Sequence, residues 1–330
     1  MQYNFKNLVF EGGGVKGIAY GGALEVLNDM AILNNVERIA GTSAGAINAA
    51  LLSIGYTHQE VSKIIAETNF KDFEDDSFFI VRDIRRLLNY FGWYKGDKFK
   101  IWLKKYILLK TGNSELTFAE MQNLKSTKNF KDLYVVATNL SQQKVQVFSH
   151  ETTPDVKIAD AVRTSMSIPL YFQSIKYKND IYVDGGVSWN YPINLFDYKK
   201  YLSSPLNGEQ VEYSNNSDYV FNYETLGFRL DSTAVIEYAK HNWASEPVKV
   251  SNVKSYSSAL INFLMETANK AHLKSNDWNR TIFIDTLDVK TTQFELSREK
   301  IEALIKSGKE NTLKYFDWRN KDEKHSKLPA

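Results

Sequence analysis

Apolar positions along the chain alternate between short continuous runs and helix-spaced sets. Leu8, Val9 and Phe10 form a short apolar strand that runs into Glu11-Gly12-Gly13-Gly14-Val15-Lys16-Gly17. Ile18, Ala19, Ala23, Leu24, Val26, Leu27 and Met30 then recur at helical spacing. Gly21 and Gly22 inside that helix cost roughly 1 kcal/mol each relative to alanine, so something is expected to approach the helix closely there. Val36 to Ala40 reads as a second strand, followed by Gly41-Thr42-Ser43-Ala44-Gly45 and a nearly all-apolar helix, Ala46 to Leu52. Thr57-His58-Gln59-Glu60 and Thr117-Phe118-Ala119-Glu120 are capping boxes that open helices.

Further along, an amphipathic helix is expected around Phe99 to Leu109, and Leu133 to Ala137 reads as a buried strand with Val145 to Phe148 as its partner. Ile158 to Ser165 reads as a helix that ends before Pro169. Ile181-Tyr182-Val183 is a short strand entering Asp184-Gly185-Gly186. Leu226 to Leu230 and Ile282 to Ile284 read as strands, Ser257 to His272 as a long helix, and Ser297 as the cap of a last helix. Residues 201–218 are polar and turn-rich, a surface insertion, and the charged tail 319–330 is expected to fray. Strands and helices alternate with no repeat, low-complexity tract or linker, so residues 1–330 are expected to form one α/β domain with a largely parallel sheet.

Composition narrows the function little. A net charge of +2 carries no basic stripe and argues against a nucleic-acid binder, and the absence of cysteine excludes disulfides and thiolate chemistry. No leader and no apolar run of about 18 residues is visible, which predicts a cytoplasmic protein. Aromatics reach 13%, many of them in residues 70–109, where Phe70, Phe73, Phe78, Phe79, Tyr90, Phe91, Trp93 and Tyr94 interleave with Arg82, Arg85, Arg86 and Lys95. That region is either an acyl-binding wall or interfacial lid, or a helical cap whose aromatics simply pack the core.

The chemistry concentrates in two glycine turns. Gly12-x-Gly14-x-x-Gly17 matches a dinucleotide fingerprint, but the next strand ends in Gly41-Thr42-Ser43 instead of a ribose-binding acid. Consecutive N–H groups at a helix start instead form an anion site, to which Lys16 adds charge unless it is merely solvated. Gly41-x-Ser43-x-Gly45, between strand and helix, has the context of a nucleophile elbow; alone it could equally be a serine capping an apolar helix. A serine needs a base. None of His58, His150, His241, His272 and His325 stands at a strand end beside glycine, whereas Asp184 does, although an aspartate in an ordinary Asp-Gly turn has the same local sequence.

Gly12 to Gly17, Gly41 to Gly45 and Asp184-Gly185-Gly186, in this order, resemble the three blocks of the patatin-like phospholipase family, and Thr164 to Pro169 resembles the block that precedes its catalytic aspartate. The similarity covers most of residues 7–195 and, weakly, the start of the last helix at Phe294 to Ser297; Glu11 and Lys16 stand where many members have Asp and Arg.

The resemblance implies a three-layer α/β/α fold, related to cytosolic phospholipase A2 catalytic domains. It also implies a Ser-Asp dyad in which Ser43 is the nucleophile and Asp184 the proton acceptor, with an oxyanion hole from Gly12, Gly13, Gly14 and Val15. Lys16, Gly17, Gly41, Gly45, Gly185 and Gly186 would support the motif. The implied substrate is a phospholipid or lysophospholipid met by peripheral contact at a membrane surface, with no metal or other cofactor. Two rivals remain: an acyltransferase using the same serine, and a non-catalytic lipid-binding module.

Overall fold

A computed structural model describes residues 3–75, 89–211, 214, 216–231, 250–251, 256, 259–260, 263 and 275–321. The chain enters through β1 (Asn7–Phe10), a 3-10 turn (Gly14–Ala19) and α1 (Tyr20–Asp29), then β2 (Arg38–Thr42), α2 (Ala44–Ser53) and α3 (His58–Ala66). Next come β3 (Gly92–Tyr94), α4 (Asp97–Thr111), α5 (Phe118–Lys128), β4 (Asp132–Asn139), β5 (Lys144–Phe148) and α6 (Ile158–Ser165). The last part comprises β6 (Leu170–Phe172), β7 (Ile175–Tyr177), β8 (Asp180–Asp184), α7 (Gly186–Trp189), β9 (Gly208–Gln210), β10 (Val220–Asn222), β11 (Thr225–Asp231), β12 (Thr281–Asp285) and α8 (Arg298–Lys321). The expected helix over 257–272 falls mostly outside the described residues, as do Phe78, Phe79, Arg82, Arg85, Arg86, His241, His272 and His325.

Among the described residues the main sheet has eight strands in the order β12-β11-β1-β2-β4-β8-β7, with β5 on β4. The first five run parallel, and β5, β7 and β8 are antiparallel to their neighbours. The buried runs work by alternation. Leu8, Phe10, Ile39, Leu133 and Val135 pack into a large cluster with α1, α2, α3 and α8, while Val9, Ala40 and Tyr134 face Tyr191, Ile193, Phe196 and Tyr201 on the opposite side. Both capping boxes form as expected, at Thr57 and Thr117.

Gly21 and Gly22 do meet a close neighbour. A methyl on Gly22 would stand 1.8 Å from Ile305 O, and one on Gly308 would stand 1.9 Å from Ala19 O, so α1 and α8 cross at reciprocal glycines.

In the stretch read as a surface insertion, 201–218, β9 pairs antiparallel with β10, and the Glu224 carboxylate takes bonds from the Ser203 backbone N–H and from Asn207 Nδ2. One expectation changes. The helix α8 continues through Lys321, where a frayed tail was expected from Arg319. Arg319 is buried, with its guanidinium over the Phe5 ring and donating to Asn279 O. Residues 322–330 lie outside the described set.

Candidate active site

The register of β4 brings the two turns and the aspartate together. Residues 135–139 of β4 pair with β5, so β2 and β8, which also pair within that stretch, must share the other edge of β4. On that edge β2 ends at Thr42 opposite Val136, and β8, running the other way, ends at Asp184 opposite Ala137. Two strands therefore meet end to end at consecutive positions of a third. The residue after the first end is Ser43, and the last residue of the second is Asp184.

Ser43 takes φ +52° and ψ −123°, a left-handed region that costs an L-residue about 1–3 kcal/mol and marks a sharp strand-to-helix turn. The turn is closed by backbone contact. A methyl on Gly45 would stand 2.4 Å from Phe10 O, so the serine turn packs directly on the end of β1, where the glycine loop begins. Ser43 N–H donates to Ser165 Oγ (2.8 Å), whose own hydroxyl donates to Val136 O (2.5 Å). The Ser43 hydroxyl points to Met166 Sδ at 3.6 Å. It stands at the N-terminus of α2, where the helix dipole favours developing negative charge.

Asp184 is fully buried. Its Oδ1 accepts from Gly186 N–H (2.7 Å), and its Oδ2 has no hydrogen-bond partner. Burial pushes the carboxyl up to about 7, against the lowering pull of the Gly186 N–H and the Ser43 hydroxyl. The serine is thus within electrostatic reach of a carboxylate oxygen that nothing else occupies.

In the glycine loop the N–H groups divide into two kinds. Gly12 donates to Asn190 O (3.1 Å) and Val15 to Thr291 O (3.3 Å). Gly13 and Gly14 donate to no acceptor among the described residues. Gly14 sits at φ +56°, and a methyl there would stand 2.1 Å from Thr291 O. The Glu11 carboxylate anchors the loop by accepting from Leu230 N–H (2.6 Å) and Asn190 Nδ2 (3.3 Å). Lys16 is half-buried and forms no ion pair among the described residues. Gly17 and Gly41 pack against α2, and Gly185 against Val136 O.

Several residues were not singled out from the sequence. Thr291 braces the loop through its backbone oxygen, which leaves no trace in residue type, and Asn190 does so through its backbone oxygen and through its side-chain amide, which also donates to Gly12 O (3.0 Å). Arg163 is buried beside the site and donates to Gly96 O (3.1 Å), Lys95 O (2.5 Å), Gln173 O (3.2 Å) and Ser167 Oγ (2.7 Å). Ser167 O in turn accepts from Asp184 N–H (2.9 Å). An arginine beside the apolar Ile158, Ala159, Ala161 and Val162 of α6 was the available signal. His58 starts α3 beside its capping box, and the ring of His150 packs on Tyr134 on the opposite side of the sheet from the main core. No group of three or more metal-binding side chains occurs among the described residues, and no described helix is long and apolar enough to cross a membrane.

The family model described as patatin-like phospholipase matches residues 8–197. An uncharacterized protein of Acanthamoeba polyphaga mimivirus is 30% identical over 323 residues, covering 94% of this chain and 95% of its own length. A protein described as a probable lipid hydrolase, from Invertebrate iridescent virus 6, is 34% identical over 192 residues, covering 58% of this chain and 63% of its own. Among solved structures, VipD from Legionella pneumophila superposes with a TM-score of 0.59 at 20% identity, over 98% of this chain and 73% of that one.

Proposed function

The chain belongs to the patatin-like phospholipase family, and from that premise we propose that it hydrolyses fatty-acyl esters of phospholipids or lysophospholipids through a Ser43–Asp184 dyad. The observation that carries the reading is the meeting of β2 and β8 on one edge of β4, which sets a strained serine beside a buried carboxylate with a free oxygen. Ser43 Oγ attacks the acyl carbonyl carbon while its proton passes to Asp184 Oδ2. The N–H groups of Gly13 and Gly14 face the developing oxyanion, and the dipole of α2 adds to them. Collapse breaks the ester bond, and the leaving alcohol takes the proton back from Asp184. A water then attacks the acyl-serine, gives its proton to the same carboxylate, and the fatty acid leaves as Ser43 is restored.

A carboxylate whose pKa lies near 7 is a far better match to this task than an ordinary one. The dyad needs no histidine and no metal. The test is hydrolysis of a short-chain nitrophenyl ester and of a phospholipid by wild type, Ser43→Ala and Asp184→Asn, together with labelling by a fluorophosphonate. Loss of turnover in both variants and loss of labelling in Ser43→Ala is expected. Full activity of either variant overturns the dyad.

A further inference from the structure

The helix α4 is apolar on two faces. Its inner face, Phe99, Leu103 and Ile107, is buried against the core. Its outer face presents Ile101 at 67% exposure, Leu108 at 49% and Leu109 at 67%. At about 100° per residue these three fall with Lys98 and Lys105 in a single arc of about 100°. The lysines divide along the same line. Lys100, Lys104 and Lys110 pair with Asp160, Glu115 and Glu60. Lys98 and Lys105 are exposed and have no acidic partner among the described residues. Asp97, the one acid of the helix, lies in its first turn just outside the arc. Exposed aliphatics framed by unpaired lysines are the pattern of a helix that lies in a lipid interface.

The same surface continues toward the catalytic end. The ribbon immediately before α4 exposes Tyr90 at 59% and Phe91 at 52%, and its partner strand β6 exposes Leu170, whose N–H donates to Phe91 O (3.2 Å). Leu170 is held at φ +63° only four residues beyond Met166, the contact of the Ser43 hydroxyl. Arg163 ties the ends of this ribbon, at Lys95, Gly96 and Gln173, to Ser167 beside Asp184. A second copy of the chain is a poor occupant: symmetric pairing of the α4 face would set lysines against lysines with no acid in the arc.

We infer that the outer face of α4 is the docking surface by which this protein settles on an anionic phospholipid membrane. This rests on the lipid-hydrolase reading of Ser43, and it adds where and how the substrate surface is met. Ile101, Leu108 and Leu109 enter the headgroup–acyl boundary while Lys98 and Lys105 meet the lipid phosphates.

The test uses the full chain carrying Ser43→Ala, so that vesicles stay intact, and co-sedimentation with phosphatidylcholine vesicles with or without phosphatidylglycerol. Tighter binding to the anionic vesicles is expected. Ile101→Ser with Leu109→Ser should weaken it about tenfold or more, and Lys98→Glu with Lys105→Glu should remove the preference for phosphatidylglycerol. On the active background the same changes should leave hydrolysis of a soluble short-chain ester unaltered and lower hydrolysis of vesicle lipid. Vesicle binding unchanged in both double variants overturns the inference. So does self-association, measured by sedimentation, that depends on this face in place of vesicle binding. Vesicle binding that needs the face, from a wild type without ester hydrolysis, overturns the hydrolase reading and leaves the docking surface standing.

Discussion

Replacing Asp184 by asparagine tests the electrostatics of the site through stability as well as through rate. The carboxyl is fully buried and its pKa is raised from 3.8 to about 7. Between about pH 4 and pH 7 the folded state therefore holds a proton that the unfolded chain releases, so this group makes stability fall as pH rises across that window and levels off above it. Linkage puts the cost at about 2 kcal/mol at pH 5 and about 4 kcal/mol at pH 8.5. Asparagine carries no charge and escapes that cost. Its amide would place an N–H₂ where Oδ2 has no partner, a penalty of about 1–3 kcal/mol that does not depend on pH. The sum predicts that Asp184→Asn gains about 2–3 kcal/mol on wild type between pH 5 and pH 8.5. Urea unfolding of both proteins, followed by tryptophan fluorescence at the two pH values, measures it. A gap that stays constant would refute the reasoning. On the proposed dyad, hydrolysis of a soluble ester by wild type should fall about tenfold per pH unit below about 7 and plateau above.

Ser43→Gly and Ser43→Ala should both be inactive, but only glycine relieves the positive φ. After its own unfolded-state entropy is counted, Ser43→Gly should be about 1 kcal/mol more stable than Ser43→Ala, read as a difference in urea midpoints. Gly12→Ala would bring a methyl to 2.4 Å from Asn190 Oδ1 and 3.1 Å from Ser43 Cβ. It should cut kcat about 10²-fold by displacing the loop, with the circular dichroism spectrum retained; an unchanged kcat would remove the loop from the oxyanion role. Arg163→Lys loses the planar fork that serves four acceptors. It should cost about 2–3 kcal/mol in urea unfolding and lower kcat through the Ser167 support of Asp184.

The parts of this fold that were legible in the sequence are those whose causes are local. The glycine loop, the serine turn, the buried strands and the capping boxes at Thr57 and Thr117 each sit within a few residues of their own explanation. The β2 strand begins and ends two residues later than read, because Gly41-Thr42 has turn composition yet still pairs with Val135 and Val136. The direction of β8 was not legible, since hydrophobic alternation is the same read forwards or backwards, and that direction is what turns Asp184 toward Ser43. The division of N–H groups in the glycine loop depends on carbonyls of Asn190 and Thr291, which every residue type possesses. Arg319 reads as part of a charged tail until Phe5 is known to lie beneath its guanidinium.

The reciprocal glycines of α1 and α8 bear on the order in which the molecule can be made. As the chain leaves the ribosome, α1 and the glycine loop are made long before α8. The groove that Gly22 opens is filled only when Ile305 and Gly308 arrive. The inner neighbour of β1, its pairing with β11, and the brace at Thr291 likewise come late. A nascent chain therefore carries the Ser43 turn and Asp184 well before the glycine loop has its supports. Until β11 follows, β1 has only one of its two strand neighbours, and the glycine loop is completed only by residues made more than a hundred positions after Asp184.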